Sequence, residues 1–124
     1  MKRVLLVDDE AVVLDLLRTL IRVEKREYEV LIAKDAVSAL ETFRKAPADL
    51  AVIDLRLPGM NGLDLLAALR AIKPGLPAIL MSAYSDESLV HRARSGVALA
   101  FLPKPFKDMD EVLALIDRGI QGTQ

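Results

Sequence analysis

Cysteine is absent from this sequence of 124 residues, and long apolar runs are absent as well. Without cysteine the chain has no disulfide, no thiolate metal site and no thiol nucleophile, which fits a reducing compartment. The apolar run Val4–Val7 follows Lys2 and Arg3 but ends at Asp8, so it is far shorter than the core of a secretory signal. No stretch approaches the roughly 18 apolar residues of a membrane span. We therefore expect a soluble, cytoplasmic protein.

An excess of charge of either sign is missing too. Lys and Arg number 17 against 18 Asp and Glu, which leaves a formal net charge of −1. Surfaces that bind nucleic acids or anionic membranes favour a basic excess, so we expect neither as a direct partner. What is present is 52% hydrophobic and 28% charged residues, the composition of a folded globular protein.

Short apolar segments alternate along the chain with longer segments of helical spacing. The apolar segments are Val4–Val7, Val30–Ala33, Leu50–Ile53, Ala78–Met81 and Val97–Leu102. Because they are nearly continuous in apolar residues, they predict strands of a parallel sheet that is covered on both faces by helices. Asp35, Asn61 and Asp108 are predicted N-caps of three helices. The segment Asp86–Ser95 is the weakest of five predicted helices.

The same pattern contains no internal repeat and no second domain, and the length fits one domain. We expect residues 1–118 to form that domain and residues 119–124 to be a C-terminal tail or the start of a linker. The sequence is equally compatible with an independent protein and with a piece of a longer one.

Polar residues stand at the carboxyl ends of four predicted strands. They are Asp8 and Asp9 after strand one, Asp54 after strand three, Ser82 after strand four and Lys104 after strand five. In an open α/β sheet the ligand site lies beyond these ends, so the side chains should meet in one pocket. Carboxylates that meet there repel each other, and a hard divalent cation such as Mg²⁺ or Mn²⁺ would balance them. A cation, an ammonium and a hydroxyl together suit phosphoryl transfer to an aspartate nucleophile.

The sequence resembles the receiver domains of two-component response regulators, the chemotaxis regulator among them. Four motifs in matching order and spacing carry the resemblance, which extends from Lys2 to about Arg118. They are Val4-Leu-Leu-Val-Asp-Asp-Glu10, Ile53-Asp-Leu-Arg-Leu-Pro-Gly-Met-Asn-Gly62, Met81-Ser-Ala83 and Lys104-Pro-Phe106. The resemblance implies a flavodoxin-like fold, with five parallel strands in the order 2-1-3-4-5 and helices on both faces of the sheet.

The resemblance also implies which residues accept the phosphoryl group and bind the metal. Asp54 matches the phosphoacceptor, and Asp9 matches the direct metal ligand. Asp8 matches the acid that acts on the metal through water. The backbone carbonyl of Arg56 sits where it would complete the metal shell.

Further positions match the residues that respond to the phosphoryl group. The resemblance implies that Ser82 and Lys104 contact its oxygens. It also implies that Ser82 and Phe101 form the switch, and that the Lys104–Pro105 peptide bond is cis. Phe101 lacks the hydroxyl of a tyrosine, so any switch would rest on the packing of its ring.

The resemblance also implies how the domain receives a signal and passes it on. Arg56 and Tyr84 flank the site at positions that tune the lifetime of the phosphoryl group, and this bulky pair favours slow decay. The expected donor is a sensor histidine kinase or a phosphotransfer protein. The expected output or homodimer surface is the face of the fourth helix, the fifth strand and the fifth helix, with Leu99 near its centre and an output domain possible beyond the C-terminus.

Three other interpretations fit the sequence less well. A Mg²⁺-dependent phosphatase of the haloacid-dehalogenase type would carry a second Asp two residues after the first, where this chain has Glu10. A flavodoxin-like cofactor binder would need a Ser-, Thr- or Gly-rich loop after strand one, and acidic residues there would repel a phosphate. A receiver-like docking module that is not phosphorylated would lack part of the acidic set. As a receiver, the chain would promote its own phosphorylation and dephosphorylation without being a turnover enzyme.

Overall fold

The computed structural model describes residues 1–82, 91 and 98–122. In these ranges a single parallel sheet has the strand order β2-β1-β3-β4-β5, which confirms the predicted fold. The strands are β1 (Lys2–Val7), β2 (Tyr28–Ala33), β3 (Leu50–Asp54), β4 (Ala78–Ser82) and β5 (Ala100–Pro103). Because β2 and β3 lie on opposite sides of β1, a crevice opens at the carboxyl ends of β1 and β3.

Helices cover both faces of this sheet. Those described are α1 (Ala11–Glu24), α2 (Ala36–Lys45), α3 (Gly62–Ile72) and α4 (Met109–Gln121). α2 and α3 pack on one face, while α1 and α4 pack on the other. α4 is the helix predicted as the fifth. The fourth predicted helix, Asp86–Ser95, lies outside the described residues except for His91, which is exposed.

The core consists of two apolar layers, one on each face of the sheet. β3 and β4 are buried along their whole lengths. Phe43 and Leu66 are fully buried in one layer, and Leu17 and Ile116 are fully buried in the other. Burying each such side chain contributes about 1.5–3 kcal/mol, so both layers are needed for a stable domain. Among the described helices, none has the length and apolar character to cross a membrane.

Side-chain caps determine where three of the helices begin, as predicted. Asp35, Asn61 and Asp108 accept hydrogen bonds from backbone N–H groups of the first turn, at 2.7, 2.9 and 3.0 Å. Each such cap typically contributes about 1 kcal/mol. The N-cap residue of α1 is Glu10, and its side chain makes no capping hydrogen bond. Its carboxylate is therefore available for a contact elsewhere.

The fifth strand was predicted over Val97–Leu102, but it begins later than this in the structure. Ala98 and Leu99 form a bend, and the strand starts at Ala100. The Leu99 N–H already donates to the Ala78 carbonyl at 2.8 Å, which joins the bend to the ladder. Because apolar residues continue through the bend into the strand, their spacing could not show where the strand starts. Val97 lies outside the described residues.

α4 continues beyond Arg118, the residue at which the domain was expected to end. Gly119 is buried, and a Cβ at this position would lie 2.5 Å from a methyl carbon of Leu50. Asp117 accepts a 2.7 Å hydrogen bond from the Tyr28 hydroxyl, which ties the end of α4 to β2. The first residues of the expected tail are therefore helical, and the division of the domain at residue 118 stays a prediction.

We expect Gly119→Ala to destabilise the protein, although alanine favours helices by about 1 kcal/mol over glycine. The new methyl group has to displace the buried Leu50 side chain, and overpacking of this kind costs about 1–3 kcal/mol. Urea denaturation would measure the free energy of unfolding. The loss of stability caused by Gly119→Ala should be smaller in a Leu50→Val background, because the smaller valine leaves space for the methyl group. A stabilising effect of Gly119→Ala in the unmodified background would contradict this packing.

Candidate functional site at the carboxyl edge of the sheet

Buried polar residues in the described part of the chain all lie at the carboxyl ends of strands. Asp8 follows β1, Asp54 ends β3 and Ser82 ends β4. Parallel strands place these ends on one edge of the sheet, and Lys104 reaches the same edge directly after β5. The convergence of these four residues is what the sequence predicted.

The ammonium group of Lys104 lies among three carboxylates. Its Nζ is 2.6 Å from Asp8 Oδ2, 3.1 Å from Glu10 Oε1 and 3.3 Å from Asp54 Oδ2. The Lys104 side chain is only 7% exposed. Interactions between charges are strong in such a space because little water screens them.

The backbone around Lys104 holds this residue at the end of β4. The Lys104 N–H donates to the Ser82 carbonyl at 2.8 Å, just beyond the last pair of the β4–β5 ladder. The Lys104–Pro105 peptide bond is cis, as the resemblance implies. Ser82 and Lys104 are therefore neighbours across two strands, although many residues separate them in the chain.

Each buried carboxylate uses its second oxygen to bind the loop that follows its own strand. Asp8 Oδ1 accepts a hydrogen bond from the Glu10 N–H at 2.9 Å. Asp54 Oδ1 accepts a hydrogen bond from the Arg56 N–H at 3.3 Å. One oxygen of each carboxylate thus fixes the backbone, while the other faces Lys104.

The loop after Asp54 returns closely on itself, and a glycine makes this possible. The Gly62 N–H donates to the Leu55 carbonyl at 2.8 Å at the start of α3. A Cβ at Gly62 would collide with the backbone oxygen of Asp54 and would lie 2.9 Å from Leu55 Cα. Residue 62 therefore has to be glycine for α3 to begin this close to the site.

The charges in the cluster do not balance, because three carboxylates share one ammonium. Burial raises the pKa of Asp54; the Lys104 ammonium lowers it in part and the nearby Asp8 carboxylate raises it again, so the pKa is raised. Burial lowers the pKa of Lys104, but the hydrogen bonds to Asp8 and Glu10 and the charge of Asp54 outweigh this effect, so the pKa is raised. Lys104 thus stays charged, and the excess of negative charge favours a further cation.

Carboxylate oxygens suitable for a cation come from Asp8, Glu10 and Asp54, and they lie within 4.8 Å of one another. Oxygen atoms of this kind are the ligands that hard divalent cations such as Mg²⁺ prefer, so the donor set fits such an ion. Asp9, the direct metal ligand implied by the resemblance, is exposed and is not in this group among the described residues. Its predicted role stays a prediction.

Glu10 is the site residue that the sequence did not identify. It directly follows the acidic pair in the first motif. Its contact with Lys104 joins residues 94 positions apart in the chain. No local sequence pattern predicts a contact between residues so far apart in the chain.

The remaining predicted residues lie around this cluster or outside the described part. Phe101 is half-buried in β5 opposite Leu80 and packs against the layer formed by α2 and α3. Arg56 is exposed beside the site. Tyr84 lies outside the described residues. Leu99 is 38% exposed. The switch and lifetime roles of these residues stay predictions.

Comparison with known proteins gives consistent matches. A family model described as the response regulator receiver domain matches residues 4–117. Sporulation initiation phosphotransferase F of Bacillus subtilis is 30% identical over 111 residues, which cover 90% of this chain and 87% of that protein. A CheY-like receiver domain protein from Methanospirillum hungatei has a crystal structure that superposes with a TM-score of 0.88 at 28% identity, over 99% of this chain and 96% of that one.

A longer relative matches through one part of its length. The DNA-binding transcriptional regulator NtrC of Escherichia coli K12 is 38% identical over 91 residues, which cover 73% of this chain. The matched part is 19% of that regulator, so this chain corresponds to about a fifth of NtrC.

We expect Asp54→Asn to raise the free energy of unfolding at neutral pH when divalent cations are absent. A carboxyl whose pKa is raised by folding contributes stability below its ordinary value of 3.8, and loses it as the pH rises through the folded-state pKa. The advantage of the amide should therefore be largest at neutral pH and should vanish below 3.8. Urea denaturation of both proteins in a chelator across this range measures it. Asp9→Asn, which changes an exposed carboxylate, should have a smaller effect.

Proposed function

The chain belongs to the response regulator receiver family, and on that premise we propose that Asp54 is the residue that accepts the phosphoryl group. It is a receiver domain of two-component signalling, a family in which phosphorylation on an aspartate is typical and which is not a family of classical turnover enzymes. One observation carries the assignment to Asp54: its carboxylate is buried at the end of the central strand β3, with one oxygen 3.3 Å from the Lys104 ammonium.

Asp54 has the chemistry of a nucleophile for this transfer. A carboxylate oxygen attacks the phosphorus of the donor and forms a new P–O bond. The bond from phosphorus to the donor breaks, and the leaving nitrogen of a phosphohistidine or the leaving oxygen of acetyl phosphate takes the electron pair. Lys104 helps to keep Asp54 ionised and can donate an N–H to a phosphoryl oxygen. Ser82 would contribute its hydroxyl to the same oxygens.

A divalent cation completes the proposed site. Mg²⁺, or Mn²⁺ in its place, would neutralise charge on the phosphoryl oxygens when bound. We propose that Asp54 and Asp9 hold it directly, that Asp8 acts through water and that the Arg56 carbonyl completes the shell. The excess negative charge at this edge of the sheet supports a cation there.

Return to the resting state is by hydrolysis. Water attacks phosphorus, the Asp54 oxygen leaves with the electron pair of the P–O bond, and inorganic phosphate is released. We propose that Arg56, which is exposed beside the site, tunes this step together with Tyr84. A histidine kinase or a phosphotransfer protein would supply the phosphoryl group.

The output passes to another domain or protein. NtrC, a DNA-binding transcriptional regulator, has most of its length beyond the part matched here, and we propose a comparable output domain or partner for this chain. The proposed output surface is β5 with α4 and the segment around Asp86–Ser95. The exposed side chain of Leu99 supports a contact there, and Phe101 in the same strand is placed to transmit a change at Ser82. The cytoplasmic location stays a prediction.

Incubation with acetyl phosphate and Mg²⁺ should add the mass of one phosphoryl group, and brief base treatment should remove it. Asp54→Asn should abolish this gain, because the amide has nearly the same shape but is not nucleophilic. Intact-mass spectrometry measures both proteins. Asp64→Asn changes an exposed aspartate in α3 and should still be phosphorylated. A base-labile phosphoryl group on Asp54→Asn would show that another residue is the principal acceptor.

Millimolar Mg²⁺ should raise the melting temperature of the unmodified protein, because a ligand that binds only the folded state stabilises it. The increase should shrink in Asp9→Asn and in Asp54→Asn. It should persist in Glu10→Gln, because Glu10 is not among the proposed ligands. Thermal denaturation at several Mg²⁺ concentrations separates these ligand sets. No increase in the unmodified protein would exclude a cation site of useful affinity at this edge.

A further inference from the structure

Among the described residues, the N–H groups of the Lys104 ammonium all have acceptors in the resting protein. An ammonium group carries three N–H donors. In the described part of the chain these donors meet three carboxylates, those of Asp8, Glu10 and Asp54. The Lys104 side chain is nearly fully buried, so water does not substitute for them. When Asp54 becomes an acyl phosphate, the N–H that it held passes to the phosphoryl group. A second N–H can reach a phosphoryl oxygen only if the contact with Asp8 or with Glu10 breaks.

Two of the three partners are held in place. Asp8 is completely buried, has the shortest contact with Lys104 and accepts the Glu10 N–H with its other oxygen. Asp54 is 8% exposed in its side chain, and its other oxygen accepts the Arg56 N–H. Breaking the Asp8 contact would leave a buried carboxylate with less compensation, which is costly. The Asp54 contact passes to the phosphoryl group that Asp54 then carries, so it frees only one N–H.

Glu10 differs from both of them. Its side chain is 57% exposed and makes no capping hydrogen bond, so its carboxylate can turn into water at small cost. Its contact with Lys104 resembles a surface ion pair, which contributes only about 0–1 kcal/mol. Glu10 and Lys104 also line one groove of about 510 Å³ with Phe106, so a ligand that enters along this groove meets the pair at its rim.

We propose that Glu10 is a displaceable counter-ion that occupies a Lys104 N–H which a second oxygen of the phosphoryl group would take. In the resting protein Glu10 restrains the ammonium, and a phosphoryl oxygen replaces the Glu10 carboxylate on phosphorylation. Glu10 is then a positioning residue that acts through Lys104, and it sets how readily the site accepts a phosphoryl group. This inference rests on the proposed function of Asp54 and Lys104.

The test measures the affinity for beryllofluoride, a phosphoryl mimic, at saturating Mg²⁺. Glu10→Gln and Glu10→Ala should bind it about two- to five-fold more tightly than the unmodified chain, since a half-exposed ion pair no longer competes. Titration calorimetry gives the dissociation constants. Both variants should also gain a phosphoryl group from acetyl phosphate faster, with Mg²⁺ affinity that is not weakened.

Two further variants separate contact with Lys104 from charge alone. Glu10→Asp keeps the charge, but its shorter side chain loses the contact, so it should resemble Glu10→Ala. Glu111→Gln removes the same charge from an exposed residue that lines a cavity on the α4 side of Lys104, and it should match the unmodified chain. If Glu10→Asp binds beryllofluoride with the same affinity as the unmodified chain, then charge and not contact is responsible, and the inference is overturned.

Other outcomes are equally clear. Unchanged or weaker binding of beryllofluoride by Glu10→Gln and Glu10→Ala would overturn the proposed role of Glu10 while leaving Asp54 as the acceptor. If the unmodified chain neither binds beryllofluoride nor gains a phosphoryl group, the proposed function itself fails, and the inference fails with it. These results are distinguishable because only the second one affects the unmodified protein.

Discussion

A parallel sheet that is covered on both faces leaves polar side chains little place except the strand ends. The strands of this protein follow that constraint closely, with β3 and β4 buried along their whole lengths. The polar groups buried in the described part of the chain are therefore concentrated at one edge, where Asp8 and Asp54 contact the Lys104 ammonium and Ser82 binds its backbone N–H. The site is in this sense a consequence of how the sheet is packed.

Placing these charged groups together at one edge of the sheet is electrostatically unfavourable for folding. Two buried carboxylates and the half-exposed carboxylate of Glu10 share one ammonium, which leaves negative charge uncompensated, and burial raises the pKa of Asp54. A cation, or a phosphoryl group with its cation, relieves this imbalance of charge. Ligand binding and folding stability are thus linked through the same few side chains. Asp54 is the clearest case, since burial of its carboxylate raises its pKa and so weakens the fold at neutral pH.

The hydrogen bonds of Lys104 distinguish the resting state of this edge from the proposed phosphorylated state. In the resting arrangement its donors are divided among Asp8, Asp54 and Glu10, and in the proposed phosphorylated state one donor moves to the phosphoryl group. Because Lys104 directly follows β5 and its N–H is bound to the Ser82 carbonyl, any shift of its side chain bears on both strands. The half-buried ring of Phe101 lies in the same strand. A local change in hydrogen bonding can therefore reach the proposed output surface.

Sequence alone determined the fold class, the helix caps at Asp35, Asn61 and Asp108, and the meeting of four site residues. Each follows from local chemistry or from the periodicity of apolar residues, which the chain carries in its order. Tertiary structure decided three further features. They are the start of β5, the close packing of α4 on β3 at Gly119, and the contact of Glu10 with Lys104. These depend on ladder register, on a glycine packed against a distant leucine, and on a charge pair formed across the whole domain, so spacing along the chain contains no signal for them.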